Sequence, residues 1–483
     1  MEILKWECFD KFVKSDLYEV LDSGPLLGPV TGFAITRDDD LQLSLETTAQ
    51  AHHPDYGNQL PAGTVFFPTD KVTLKGADGS TAVAYGVLRR GFKTSAGIKD
   101  SSKTESTETS SIHSLEWTSP EGTEPSYVIE WLENMSHSFI WPHSVDDTDT
   151  SGAKRTFTDR TFEIVASSST EGFSGSNCCV HITVDGWDLF VGTSDVKADN
   201  VLKPGFVLYK GAPSEEIRAK IRDCLGFCLG VNLVYLGFTS FSNEWHPTTL
   251  KAISANSPVH DVRRVVTMPP APLGNKIEQM IVPGMLERMV NSLVANYENL
   301  GLQKVLWAYW HAATAPLHMA AVHFGAALEA LQRAYAKQLG VKFTTTILAD
   351  EAWAPLSKQI ALCISETQAS APDKTMLQNK ANSLNYAPGG IQMKRFWDAV
   401  GIQAGIVEEK AWEQRNKAAH GGEMKPDAYI SAIRRTKALR VLMNRIILAA
   451  TKGSDFYYDY YTIGHPKVAI SNPIADDITG AAK

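Results

Sequence analysis

Nowhere in these 483 residues is there an uninterrupted apolar run of about 18, the length a helix needs to cross a bilayer, so no membrane-spanning helix is expected. The opening residues Met1-Glu2-Ile3-Leu4-Lys5-Trp6-Glu7-Cys8 carry acid and lack an apolar segment followed by a small-residue cleavage site. No secretory signal is read there, and a cytoplasmic location is expected. Cysteine is scarce: the six present are expected as thiols in a reducing compartment. Cys178-Cys179 and the Cys224/Cys228 pair read as core residues rather than zinc ligands, since adjacent cysteines chelate one ion poorly and the other two fall on an apolar helix stripe. There is no P-loop and no H-E-x-x-H, and Gly172-Phe173-Ser174-Gly175-Ser176 departs from a nucleophile elbow. No metal and no cofactor are therefore expected. Acid is missing from one place in particular. Residues 428–454 hold no Asp or Glu but carry Arg434, Arg435, Lys437, Arg440, Arg445 and Lys452. Because the whole chain has a net charge of −8, a nucleic-acid site has to be a local patch such as this one.

What is present divides near residue 250. The first part is rich in short β-compatible runs, among them 81–88, 180–184 and 189–191, bordered by Asp185-Gly186 and Ala77-Asp78-Gly79 turns. Many short strands with such turns predict a β-rich sandwich- or barrel-like domain over 1–250. The Ser/Thr-rich stretch 94–119 is expected as a mobile surface loop. A helix opened by Ser214-Glu215-Glu216, with Ile217, Ile221 and Leu225 on its apolar stripe, closes this domain. Residues 251–275 form the expected linker, centred on the proline cluster Met268-Pro269-Pro270-Ala271-Pro272-Leu273-Gly274. A helical bundle follows over 276–465, with a tail over 466–483. Its helices are expected at 306–340 with a restart at Pro316, at 354–366 with Pro355 in the first turn, at 391–400, at 406–420, and after Pro426. The fold class expected is α+β multidomain.

The chemistry concentrates in Arg415-Asn416-Lys417-Ala418-Ala419-His420-Gly421-Gly422, the end of the 406–420 helix. Arg415 is the only arginine in the chain followed by a histidine at a gap of four to six residues. Histidine moves protons near neutral pH, and arginine's planar fork stabilises a phosphate that gains charge. Together they can drive attack of an RNA 2′-hydroxyl on its own phosphate without a metal. Asn416 lies one turn from His420 and can orient it. Lys417, Arg434 and Arg435 are the candidate RNA contacts. Five positions apart on a helix, Arg415 and His420 diverge by about 140°. The plainer alternative is that Arg415 pairs with a carboxylate elsewhere in the bundle while His420 caps the helix. Glu329 on the long helix is a separate candidate to approach the motif in the folded bundle, against an ordinary salt bridge along its own helix. The run Phe456-Tyr457-Tyr458-Asp459-Tyr460-Tyr461 reads as packing rather than base stacking.

This block resembles the RN-x3-H signature of the HEPN superfamily, supported by Phe396-Trp397, Val400-Gly401, 408–414 and the helix 327–335. The combination is most similar to ApeA-type HEPN proteins, with looser likeness at Tyr235-Leu236-Gly237 and Glu244-Trp245. The resemblance implies an all-α HEPN bundle acting as a metal-independent endoribonuclease in bacterial anti-phage defence by abortive infection. It also implies RNA, plausibly tRNA, as substrate and a phage-derived trigger sensed by the N-terminal domain. A homodimer or higher homo-oligomer is implied as well, facing two motifs across a two-fold axis. A HEPN bundle that only binds RNA or dimerises, without activity, is the alternative.

Overall fold

The structure is a computed structural model that describes residues 4–26, 29–49, 70–97, 100–135, 139–149, 153–159, 161–168, 174–194, 203–255, 265–275, 280–338, 345–419 and 429–475. The chain is α+β: a large β-rich N-terminal part followed by helices. It divides into two compact units, one of 1–269 with 273–290 and one of 270–272 with 291–483.

In the first unit, thirteen strands among the described residues form one antiparallel sheet, from Tyr18–Asp22 at one edge to Glu163–Ser168 at the other. A second sheet of four strands holds Val30–Arg37, Leu43–Ala49, Asp100–Ile112 and Leu88–Gly97. Two cores result. Phe33, Ile35, Leu43 and Leu45 of the small sheet pack on Val72, Leu74, Leu115 and Leu250 of the large one, in the manner of a sandwich. At the other end, Phe157, Ile164 and Val145 near the far edge meet Ile129 and Trp131 of the central strand Tyr127–Met135, so this half of the sheet curls on itself. The Asp185-Gly186 turn joins Ser174–Val184 to Trp187–Thr193 with both residues at positive φ (51° and 81°), as a type I′ hairpin requires.

The stretch 94–119 is not the expected loop. Its described part forms the end of one strand, Leu88–Gly97, and the whole of two more, Asp100–Ile112 and Ser114–Thr118. Ser106, Glu108, Ser110 and Ile112 alternate inward, and the buried Glu108 is neutralised by Arg89 at 2.5 Å. A polar strand is thereby tolerated on a buried face.

Helix α1 (Glu215–Leu229) starts at Ser214, whose hydroxyl accepts the Ile217 N–H. Beneath it, the fully buried Glu130 receives Arg218 at 3.1 Å and Arg222 at 2.7 Å, which pins α1 to the central strand. Cys224 and Cys228 face the core, where burial pushes both thiols well above their ordinary range; Cys178 and Cys179 are buried too. The proline cluster is not an exposed connector. Ala271 and Leu273 are buried, and the Thr267 N–H bonds the Gly230 carbonyl. The units divide within α2 (Pro283–Ala295) and also at the cluster, whose Pro270-Ala271-Pro272 belong to the second unit.

The second unit contains α3 (Leu302–Thr314), α4 (Leu317–Gln338), α5 (Asp350–Glu366), α6 (Ala371–Ser383), α7 (Gly389–Ala399), α8 (Ile406–Ala419) and α9 (Tyr429–Thr451). The break between α3 and α4 falls at Pro316, as expected. Ala320, Ala321, Phe324, Leu328 and Leu331 line the buried face of α4. Helix α5 starts four residues earlier than the sequence suggested, which leaves Pro355 inside it. The bundle is not all-α: strands Phe456–Tyr458 and Lys467–Ala469 pair in a C-terminal hairpin, where Tyr457, Tyr458 and Tyr460 are buried as packing residues.

Gly237, in the strand Tyr235–Phe241, has φ 131°, and a Cβ there would lie 1.8 Å from the Lys251 carbonyl oxygen. Gly237→Ala is expected to destabilise the first unit by at least about 2 kcal/mol, read as a lower urea midpoint with unchanged slope.

Candidate functional site

Helix α8 carries the motif, and its inward face is set by Glu408, Ala411, Trp412 and Arg415, spaced so that they share one stripe. At its start the Gly405 N–H donates to Glu408 Oε2 at 2.7 Å, the reach-back half of a capping box. The other carboxylate oxygen of Glu408 accepts from Arg445 Nη1 of α9, and both side chains are fully buried. Arg445 also donates to the Ile470 carbonyl at 2.9 Å and the Gln403 carbonyl at 3.2 Å, and lies over the Tyr457 ring. Burial pushes the Glu408 carboxyl above its ordinary value, while Arg445 and the Gly405 N–H pull it back. One pair thus ties the beginning of α8 to α9 and to the C-terminal hairpin.

Two turns later, three contacts with described residues hold Arg415. Its Nη1 donates to Glu329 Oε1 of α4 at 2.5 Å. Its guanidinium lies 3.8 Å from the centre of the Trp412 ring. Its aliphatic stem runs over Gly325, where a Cβ would come within 2.2 Å of Arg415 Cδ. The Arg415 side chain is 14% exposed and that of Glu329 43%, so the pair sits at the border of the bundle with its carboxylate on the solvent side. Trp412 is itself braced edge-on by Trp397.

The structure pairs Arg415 with a carboxylate of another helix, as the plainer alternative had it, and that carboxylate is Glu329, which does approach the motif helix. Asn416 and Lys417 lie on the last turns of α8. His420, with Gly421 and Gly422, lies outside the described residues. On α9, Arg434 is exposed and Arg435 half-buried, near the beginning of the helix. Arg445, expected as part of the same basic surface, is a correction: it is fully buried and committed to Glu408, so it offers nothing to RNA. Arg440 lies beside the Tyr460 ring, 6.0 Å from its centre. Sequence reasoning quoted Glu408 and Trp412 only as flanking residues of the motif, assigned neither a role, and missed Gly325. The available signal was the spacing 408, 411, 412, 415, which is a buried stripe containing charge.

No family model, no curated protein and no solved structure matches this chain.

The two arginines of α9 that differ most in burial should separate cleanly. Arg445→Ala is expected to cost about 3–5 kcal/mol, because it leaves Glu408 charged and unpaired in the core. Arg434→Ala should change stability by no more than about 0.5 kcal/mol. Chemical denaturation of both variants measures the contrast.

Proposed function

We propose that the chain is a metal-independent endoribonuclease of the HEPN type, with Arg415 as the phosphate-stabilising group and His420 as the proton-transfer group. The observation that carries this reading is the seating of Arg415. A guanidinium braced by a ring face, a glycine and an ion pair is held in one orientation, as stabilisation of developing charge requires. Its present partner, Glu329, is nearly half exposed and is exchangeable for a phosphate. In the reaction the substrate's 2′-oxygen loses its proton and attacks the adjacent phosphorus. Arg415 takes up charge on the non-bridging oxygens, and the leaving 5′-oxygen gains a proton. Asn416 orients His420; Lys417, Arg434 and Arg435 contact neighbouring phosphates. A second copy of the chain supplies the facing motif. The N-terminal β-rich unit senses a phage-derived trigger and restrains cleavage, tRNA being the plausible target in an abortive-infection response.

A second reading has its own observation. The Arg415–Glu329 pair also suits a bundle in which Arg415 is structural and the protein binds RNA or dimerises without cutting. Incubating purified protein with total RNA in EDTA and mapping the ends discriminates between the two.

Under the first reading, Arg415→Ala and His420→Ala each abolish cleavage while circular dichroism stays that of the parent, and parent cleavage persists in EDTA. The products carry a 2′,3′-cyclic phosphate and a 5′-hydroxyl, since the substrate's own 2′-oxygen is the nucleophile. A 5′-phosphate end overturns this mechanism.

Changing Arg434 and Arg435 together to Ala should weaken RNA binding and reduce the slope of log affinity against log salt by about 2, one released counterion for each lost phosphate contact. An unchanged slope would make the patch an ordinary solvated face.

A further inference from the structure

Helices α5 and α6 form a hairpin that packs on itself far more than on its surroundings. Its base is stapled: Thr346 bridges Tyr386, the Ile347 N–H bonds the Asn385 carbonyl at 2.7 Å, and the Asn385 side chain bonds both the N–H and the carbonyl of Leu348. Arg395 of α7 holds the Thr346 carbonyl at 3.0 Å. Beyond this base, α5 has no buried residue along its 17-residue length, and α6 has only Ala381. The less exposed positions mark the seam between the helices, Trp353, Ile360 and Ile364 on one side and Lys374, Gln378 and Ala381 on the other, and Lys374 Nζ donates to the Ser365 carbonyl at 2.7 Å.

A helix pair that covers so little of itself leaves apolar side chains in water. On α5, Leu356 (41% exposed) and the exposed Cys363 are seven residues apart; Leu377 (42%) on α6 and Leu384 (56%) at its C-cap are also seven apart. Seven residues is two turns, so each pair makes a row along its helix. With the helices antiparallel and the seam as above, the helical phase puts both rows on the same side of the hairpin. Asp373 and Lys380 flank Leu377 on that side of α6, near-equally spaced before and after it.

We propose that this face is a self-association surface, and that its occupant is the same face of a second copy of this chain. Self-complementarity decides the choice. A two-fold axis that lies in the plane of the contact and crosses the helices at right angles at Leu377 sets α6 antiparallel to its copy with Leu377 against its own equivalent. Asp373 then lies opposite Lys380 of the partner subunit, and Lys380 opposite the partner's Asp373. The same axis sets Leu356 of α5 opposite Cys363 of the partner subunit. One operation therefore matches apolar to apolar and acid to base on both helices, which is what an isologous contact demands. The hairpin is about 25 Å long at 1.5 Å per residue and about two helices wide. Two such faces bury on the order of 1,000 Å², the lower bound for a specific interface, so the pairing is reversible. It rests on the hairpin alone and not on RNA cleavage: mass is measured without activity. A monomer that cuts RNA and a dimer that does not are distinct outcomes.

The test uses the full chain and residues that are exposed. Sedimentation velocity over a micromolar range should show twice the 52.9 kDa protomer mass. The double variant Leu356→Lys, Leu377→Lys should raise the dimer dissociation constant by about 100-fold or more, with unchanged thermal unfolding of the monomer. Lys380→Asp should weaken the dimer, and adding Asp373→Lys should restore it. These two positions are about 10 Å apart along one helix, so they cannot pair within a protomer. Leu356→Cys should form a disulfide-linked dimer with native Cys363 under mild oxidation; their separation of two turns forbids a bond within one chain. A parent protein that stays monomeric, a lysine double variant that stays dimeric, or Leu356→Cys that gives no linked dimer would each overturn the proposal.

Discussion

Everything known of the candidate site depends on where α8 points, and α8 is fixed at its start by the buried contact between Glu408 and Arg445. Glu408 closes the first turn of its own helix through the Gly405 N–H and at the same time neutralises a guanidinium from α9. Arg445 in turn collects carbonyls from Gln403 and Ile470, so the connection into α8 and the C-terminal hairpin converge on one side chain. An apolar pair of similar volume would pack as well or better, since desolvating two charges costs several kcal/mol. What the ion pair adds is register. Its donors and acceptors are satisfied in one arrangement of three chain segments, and a slip of one residue would leave a buried charge alone.

The first unit uses the same device. Glu130 lies at the centre of the long sheet with no exposure and receives two arginines from α1, while the Tyr235 ring lies against the Arg222 guanidinium at 4.0 Å. Burial first, and then the Glu130 charge, push the Tyr235 hydroxyl well above its ordinary value. A helix that meets a sheet through an apolar stripe alone could slide along it. One that carries two arginines onto a single buried carboxylate cannot.

These contacts mark the boundary of what was legible in the sequence. Helices α4, α8 and α1 were readable because apolar side chains recur at 3.6-residue spacing and a cap or a proline marks an end. Helix α6 was not, because its apolar residues Met376 and Leu377 are adjacent and face solvent. The stretch 94–119 read as a loop because its inward positions are Ser and Glu; burial of Glu108 is made tolerable only by Arg89 from a neighbouring strand. Arg445 shows why charge runs mislead. It lies eleven residues after Arg434, which on a helix is nearly the same direction, yet one is exposed and the other wholly buried. The difference is external to α9: the C-terminal segment around Ile470 and Tyr457 covers the later turns only. Glu329 lies 86 positions from Arg415. No local pattern pairs them; only the packing of α4 on α8 does.

That packing also explains how Arg415 can be structural and reactive at once on the reading proposed above. Two of its contacts, the Trp412 face and the Gly325 backbone, hold the stem and the plane of the guanidinium and are indifferent to which anion sits at its edge. A third, Glu329, supplies the anion. A partner exposed to solvent contributes little, about 0–1 kcal/mol for an ion pair of this kind. A phosphate taking the place of Glu329 would therefore meet a guanidinium already oriented, and the small cost of releasing the carboxylate would be offset by charge-assisted, two-pronged bonds of the sort arginine makes to phosphate. If the carboxylate alone positioned Arg415, displacing it would free the side chain and lose the geometry. Because ring and glycine do most of the positioning, exchange at the charged end can proceed without disorder at the stem.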